Sequence, residues 1–118
     1  MTATTTIPTS VLYACAHAAL DGQAVLVVGP GADVQPAFDT SVQLTPTVDV
    51  SKIVRVRGRQ EISYRSGGRV LFRHSELGAR GLTPNLTVTT FTSEYDLASL
   101  EAGLVSSGTL VSVRGGAA

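Results

Sequence analysis

EISYRSGGRVLFRHSELGARGLTPNLTVTTFT, running from Glu61 to Thr92, is the stretch whose reading decides the fold. Two short runs rich in β-formers, Glu61–Arg65 and Arg69–Arg73, flank Ser66-Gly67-Gly68. Paired glycines supply the positive φ angles that a tight hairpin turn needs. Ile62 and Tyr64 alternate with Glu61, Ser63 and Arg65, and Val70 and Phe72 alternate with Arg69, Leu71 and Arg73. This period of two predicts a hairpin with Ile62, Tyr64, Val70 and Phe72 inward and the arginines outward. His74–Asn85 reads as a loop carrying Gly78-Ala79-Arg80-Gly81 and Pro84, and Leu86–Phe91 reads as a strand. Thr92 or Ser93 can cap a helix over Glu94–Gly103, with Asp96 placed as in a capping box begun by Ser93.

Upstream, Pro8 suits the first turn of a helix because its missing N–H is no loss there. Val11, Leu12, Cys15, Ala18 and Ala19 recur at three- and four-residue spacing and predict a helix over Thr9–Leu20 with one apolar face. Gly22 is placed to cap its C-terminus. Ala24-Val25-Leu26-Val27-Val28 is a continuous apolar run closed by Gly29-Pro30-Gly31. Its length and β-branching predict a strand buried on both faces, as in a parallel sheet. Gly29–Thr40 reads as a loop with one helical turn at Val34–Phe38, limited by Pro36 and capped by Asp33. Ser41–Leu44 reads as a short strand and Val48–Ser51 as a linker. Ile53–Arg57 alternates, ends at Gly58, and is expected to pair with the hairpin in an antiparallel extension. Thr109–Arg114 reads as a final strand, so Leu86–Arg114 forms a βαβ crossover. Met1–Ile7 is expected to be extended or frayed, and Gly115–Ala118 to be a tail.

A chain of 118 residues with 43% hydrophobic and 15% charged side chains has the composition of one globular domain, 1–118. No apolar run approaches the ~20 residues of a membrane span. The N-terminus lacks a basic flank before an apolar core, so no secretory leader is expected. Cys15 is the single cysteine, which excludes an internal disulfide, and it reads as a small buried side chain. His17 and His74 are too far apart to suggest a local metal site, and His17 reads as a surface or half-buried residue. No metal and no cofactor is expected.

The zero net charge hides an asymmetry. Residues 1–50 carry Asp21, Asp33, Asp39 and Asp49 and no Lys or Arg. Residues 51–80 carry eight cations, Lys52, Arg55, Arg57, Arg59, Arg65, Arg69, Arg73 and Arg80, against Glu61 and Glu76. Such a block can meet phosphate or an acidic partner, or it can be a solvated strand face that protects a sheet edge.

The hairpin ISYxxGGRVLFR, followed by GARGLxxNL and an apolar strand, resembles the ATPase domain of phage large terminases and, more loosely, helicase-type P-loop NTPases. The helix, buried strand and Val28-Gly29-Pro30-Gly31 run is also similar to that pattern. The resemblance implies an α/β fold: a small, mainly parallel sheet with flanking helices, a reduced RecA-like core, plus the hairpin extension. In that family a phosphate loop with glycines, Lys and Ser/Thr precedes the first helix. Here the matching place reads Thr5-Thr6-Ile7-Pro8-Thr9-Ser10, with Pro8 about where the lysine stands. The family's Asp-Glu pair, which holds the metal and polarises water, falls on Thr90 and Phe91. Neither can act as a carboxylate. Either Thr2–Ile7 substitutes for the family's central strand or the sheet lacks it, leaving a bare edge that a second copy could cover.

The resemblance therefore implies a non-catalytic phage or prophage protein, cytoplasmic in a bacterial host, that hydrolyses no ATP and acts by binding. One expectation is a protein-interaction or regulatory module, its partner another protein or itself in a homodimer. The other is a nucleic-acid binder using Arg55, Arg57, Arg59, Arg73 and Arg80, with Arg80 the leading phosphate contact.

Overall fold

A computed structural model describes residues 6–104 and 108–113. These residues form α1 Thr9–Leu20, β1 Ala24–Val28, α2 Gly31–Leu44, β2 Val50–Val54, β3 Gln60–Tyr64, β4 Arg69–Arg73, α3 Glu76–Ala79, β5 Leu86–Thr89, α4 Glu94–Gly103 and β6 Thr109–Ser112. A 3-10 turn at Thr47–Asp49 leads into β2. The strands form one six-stranded sheet in the order β2-β3-β4-β1-β5-β6. β1 runs parallel to both β4 and β5, and β5 runs parallel to β6. β2, β3 and β4 pair antiparallel. The α/β class is as expected, and β1 and β5 lie side by side in the same direction.

The sheet is covered on both faces at β1, which is apolar throughout and fully buried over Val25–Val28. Val25 and Val27 face α1 and α2 in a cluster with Leu12, Cys15, Ala19, Val34 and Phe38. Leu26 and Val28 face the other way, against Ala79, Leu100 and Leu104. β3 and β4 carry Ile62, Tyr64, Val70 and Phe72 into the first cluster, as their alternation requires. The Phe72 and Phe38 rings meet edge to face at 5.2 Å.

Several expectations are corrected. The hairpin is no appendage: β4 lies in the middle of the sheet beside β1, so Leu71 is buried in the second cluster instead of facing water. Arg73 is half-buried for the same reason. Residues 31–44, expected as a loop, one turn and a strand, form the single 14-residue helix α2. Pro36 removes one intrahelical N–H, but burial of Val34, Ala37, Phe38 and Ser41 at helical spacing outweighs that loss. The N-cap of this helix is Pro30, not Asp33. Val50 and Ser51, read as linker, open β2, which ends at Val54 and leaves Arg55 and Arg57 in the turn before β3. The 74–85 segment contains α3.

Of the two hairpin glycines, only Gly67 has positive φ, at 92°. Gly68 is needed for another reason: a Cβ there would stand 1.8 Å from the Ala19 carbonyl oxygen at the end of α1. Helices α1 and α4 and the Ser93 cap are as expected, Ser93 Oγ accepting from Asp96 N–H at 3.4 Å. The expectations for Thr2–Thr5, Arg114 and Gly115–Ala118 lie outside the described residues.

Candidate functional site

In open α/β sheets, ligands sit at the carboxyl ends of parallel strands where successive connections leave in opposite directions. Here that point lies between β1 and β5. From β1 the chain passes through α2 toward β2, and from β5 it passes through α4 toward β6. The two helices pack on opposite faces.

This crevice is filled by the chain itself. Thr90, directly after β5, donates from its hydroxyl to Asp33 Oδ2 of α2 at 2.8 Å, and both residues are buried. A Cβ on Gly29 would meet Thr90 Oγ1 at 2.0 Å, so the absence of a side chain at Gly29 gives Thr90 its place. The His74 ring covers Gly31, its Nδ1 being 3.3 Å from where a Cβ would stand. His74 Nε2 meets Gln60 Oε1 at 3.1 Å, and Gln60 Nε2 donates to Gln35 Oε1 at 2.7 Å. Gln60 is 2% exposed, so this chain of bonds satisfies a polar side chain within the sheet. Phe91, next to Thr90, is buried among Leu71, Leu100 and Leu104. Thr9 lines a small cavity of about 100 Å³ between α1 and α2, together with Thr6 and Asp33. No group of three or more metal-binding side chains occurs among the described residues.

The basic residues collect beside this sealed crevice. The cluster on the α3–α4 face reaches β4 at Leu71 and takes nothing from β2 or β3 among the described residues. Over those two strands the sheet therefore presents an open groove of about 390 Å³, lined by Lys52, Val54, Val56, Arg59, Glu61 and Arg73. Lys52 and Val54 stand opposite Ser63 and Glu61 in register, which places all four on one face.

Arg73 is fixed at the inner end of the groove, donating from one guanidinium nitrogen to the Gln60 and Phe72 carbonyls at 3.1 and 3.0 Å. Burial pulls its pKa down from the usual arginine value; Glu61 opposes that shift, and Arg59 and Arg69 add to it. Arg73 is thus a partly desolvated cation among other cations. Glu61 accepts a hydrogen bond from Ser63 Oγ at 2.6 Å.

The five arginines expected to bind do not form one surface. Arg59 and Arg73 share the groove. Arg55 and Arg57 are exposed in the β2–β3 turn at the same end of the sheet. Arg57 is close enough to His74 to lower its pKa, a smaller effect than burial, which acts in the same direction. Arg80 lies apart, packed against Gly103 at the end of α4 and so toward the amino ends of β1 and β5. Lys52, not among those five, lines the groove beside Arg59 and Arg73. The β2 alternation that sets Lys52 beside Val54 was the available signal for Lys52. Nothing in the sequence pairs Asp33 with Thr90, 57 positions away.

Fold and site together define a three-layer α/β domain with a mixed sheet, a plugged switch point and a basic groove. Comparison with known proteins finds no matching family model, no matching curated protein and no matching solved structure.

Proposed function

We propose that this chain is a non-catalytic binding domain that docks the phosphate backbone of a nucleic acid in the groove over β2, β3 and β4. One observation carries the reading: Lys52, Arg59 and Arg73 converge on an open surface with Glu61 as its single carboxylate. Arg55 and Arg57 extend the positive field from the adjoining turn, and Arg69 adds to it from β4. Arg73, partly desolvated with like charges around it, gains from a phosphate a counter-charge that Glu61 alone supplies in the groove. The groove lining holds cations and no aromatic side chain on which a base could stack, which favours backbone contact over base readout.

The non-catalytic part of the reading rests on the filled crevice. Where a nucleotidase of the terminase kind needs space and carboxylates, this chain has Thr90 bonded to Asp33, buried Phe91 and the His74 ring over Gly31. On this reading the scaffold is a reduced relative of those phage ATPases, working in a bacterial host cell. A protein-interaction role is the second reading, favoured by the outer edge of β6, beyond which no strand lies among the described residues.

Fluorescence anisotropy with a labelled DNA duplex tests the proposal. If about four phosphates are engaged, affinity falls roughly a hundredfold between 50 and 200 mM salt. Arg59→Ala and Lys52→Ala each weaken binding for every sequence tried, whereas Arg80→Ala leaves it unchanged. Absence of binding at low salt, or equal loss on Arg80→Ala, removes the groove from consideration.

A further inference from the structure

The sheet has two edges, and they differ in how they are protected. At one edge, β2 carries Lys52, has an irregular register between Val50 and Lys52, and runs into the Arg55–Arg59 turn. Charge and a bulge are the usual devices that stop a strand from pairing with another chain. At the other edge, β6 has neither. Its sequence is Thr-Leu-Val-Ser, and Leu104–Val113 contains no charged residue. Among the described residues no strand lies beyond β6.

The backbone of β6 fixes what it offers. Thr109 and Val113 donate to the Asn85 and Thr89 carbonyls at 3.0 and 2.8 Å. Backbone groups alternate sides along a strand, so Val111 also turns toward β5 while Leu110 and Ser112 present N–H and C=O outward. We propose that this edge pairs with β6 of a second copy of the chain, antiparallel about a two-fold axis at Val111. That register matches Leu110 of each copy with Ser112 of the other, and the four outward polar groups of each strand complete four hydrogen bonds. Val111 then faces its twin in the close, non-hydrogen-bonded position, covering a side chain that is 38% exposed in the single chain.

A second copy fits better than an unrelated strand because the pairing is self-complementary. Neutral Leu110, Val111 and Ser112 meet their equivalents without repulsion, whereas a β2–β2 contact would set Lys52 against Lys52. The result is a continuous twelve-stranded sheet, twice the six of one chain. One short strand pair is a small interface, so the dimer is weak.

The test uses the full chain. Light scattering at about 100 µM is expected to give a mass above the 12.2 kDa monomer that rises with concentration, as a small interface requires. Val111→Cys under mild oxidant forms a disulfide-linked dimer, since Cys15 is buried and its thiol does not compete. Ser112→Pro removes one outward N–H while leaving the bonds to β5, and returns the protein to monomer. A monomer at all concentrations overturns the proposal. So does a dimer that persists in Ser112→Pro and resists cross-linking through Val111→Cys. Should Ser112→Pro not fold, the Val111→Cys cross-link decides alone.

Discussion

Thr90 donates its hydroxyl proton to the Asp33 carboxylate at 2.8 Å, in the space that the missing side chain of Gly29 leaves open. Gly29 directly after β1, Asp33 of α2 and Thr90 directly after β5 thereby lock the switch point of the sheet. Thr90→Val keeps the shape and removes the donor, and is expected to cost about 1.5–3 kcal/mol because the acceptor is a buried carboxylate. Gly29→Ala should be severe alone and milder in a Thr90→Ala background, since the closest clash is with Thr90 Oγ1. A double-mutant cycle by urea denaturation is expected to give a coupling of about 1 kcal/mol or more. Additive effects would show that the lock is not a unit.

The two hairpin glycines should respond differently to alanine. Gly67 has open space around it and pays only for a positive φ, so Gly67→Ala is expected to cost about 1–2 kcal/mol. At Gly68 the obstacle is the Ala19 carbonyl, which is backbone and cannot rotate away. Gly68→Ala should cost about 3 kcal/mol by forcing the hairpin off the end of α1. Ser66 Oγ, which donates to the same carbonyl at 2.7 Å, would lose its bond in that variant. Equal midpoints for the two variants in thermal denaturation would contradict this division of roles.

What the residue pattern disclosed was local. Alternation at Ile62, Tyr64, Val70 and Phe72 located the hairpin, and the apolar run Ala24–Val28 located the central strand. The failures have non-local causes. Pro36 and the short apolar segments around it look like loop and strand until the sheet supplies a surface for Val34, Ala37 and Phe38 to cover. Leu71 looks like an outward residue until β1 takes its place beside β4. For the site, the charge block from 52 to 80 was visible, but its partition was not. Which arginines share a groove depends on the β2–β3 register and on where α3 carries Arg80.

Thr87 Oγ1 is fully buried and has no hydrogen-bond partner among the described residues. It sits on β5 between Leu26 and Leu110 in register. Thr87→Val keeps the volume and removes the unsatisfied oxygen, so it should stabilise the fold by about 1 kcal/mol. Thr87→Ala, which also leaves a gap, should not. A destabilised Thr87→Val protein in chemical denaturation would indicate that the hydroxyl has a partner in solution.

Burial pushes the Cys15 thiol up from 9.0 to about 11. The folded state therefore holds its proton where the unfolded chain has released it. Stability is unaffected below pH 9 and falls between about pH 9 and 11, by roughly 2–3 kcal/mol in total. Tyr64, whose pKa is also raised by burial, acts with the same sign. Cys15→Ala should flatten the alkaline limb of a stability-versus-pH series while leaving the part of the Tyr64 shift that burial causes. Native protein should also react slowly with thiol reagents at pH 8 and rapidly in denaturant.

His74 links the filled crevice to the basic turn. Burial lowers its pKa first, and the Arg57 charge lowers it further. A folded-state pKa below the unfolded value means that the unfolded chain takes up the proton first, so stability is lost as pH falls below about 6.5. Arg57→Ala removes the smaller cause and should move the imidazole titration part of the way back up, as followed by NMR of the ring protons. A phosphate backbone docked near Arg57 would shift it in the same direction, because it neutralises the same charge. DNA added to the wild-type protein should therefore raise the His74 pKa, and added to Arg57→Ala should raise it less. A titration that DNA leaves in place would put the docked strand away from the β2–β3 turn, even if Arg59 and Lys52 still contribute to affinity.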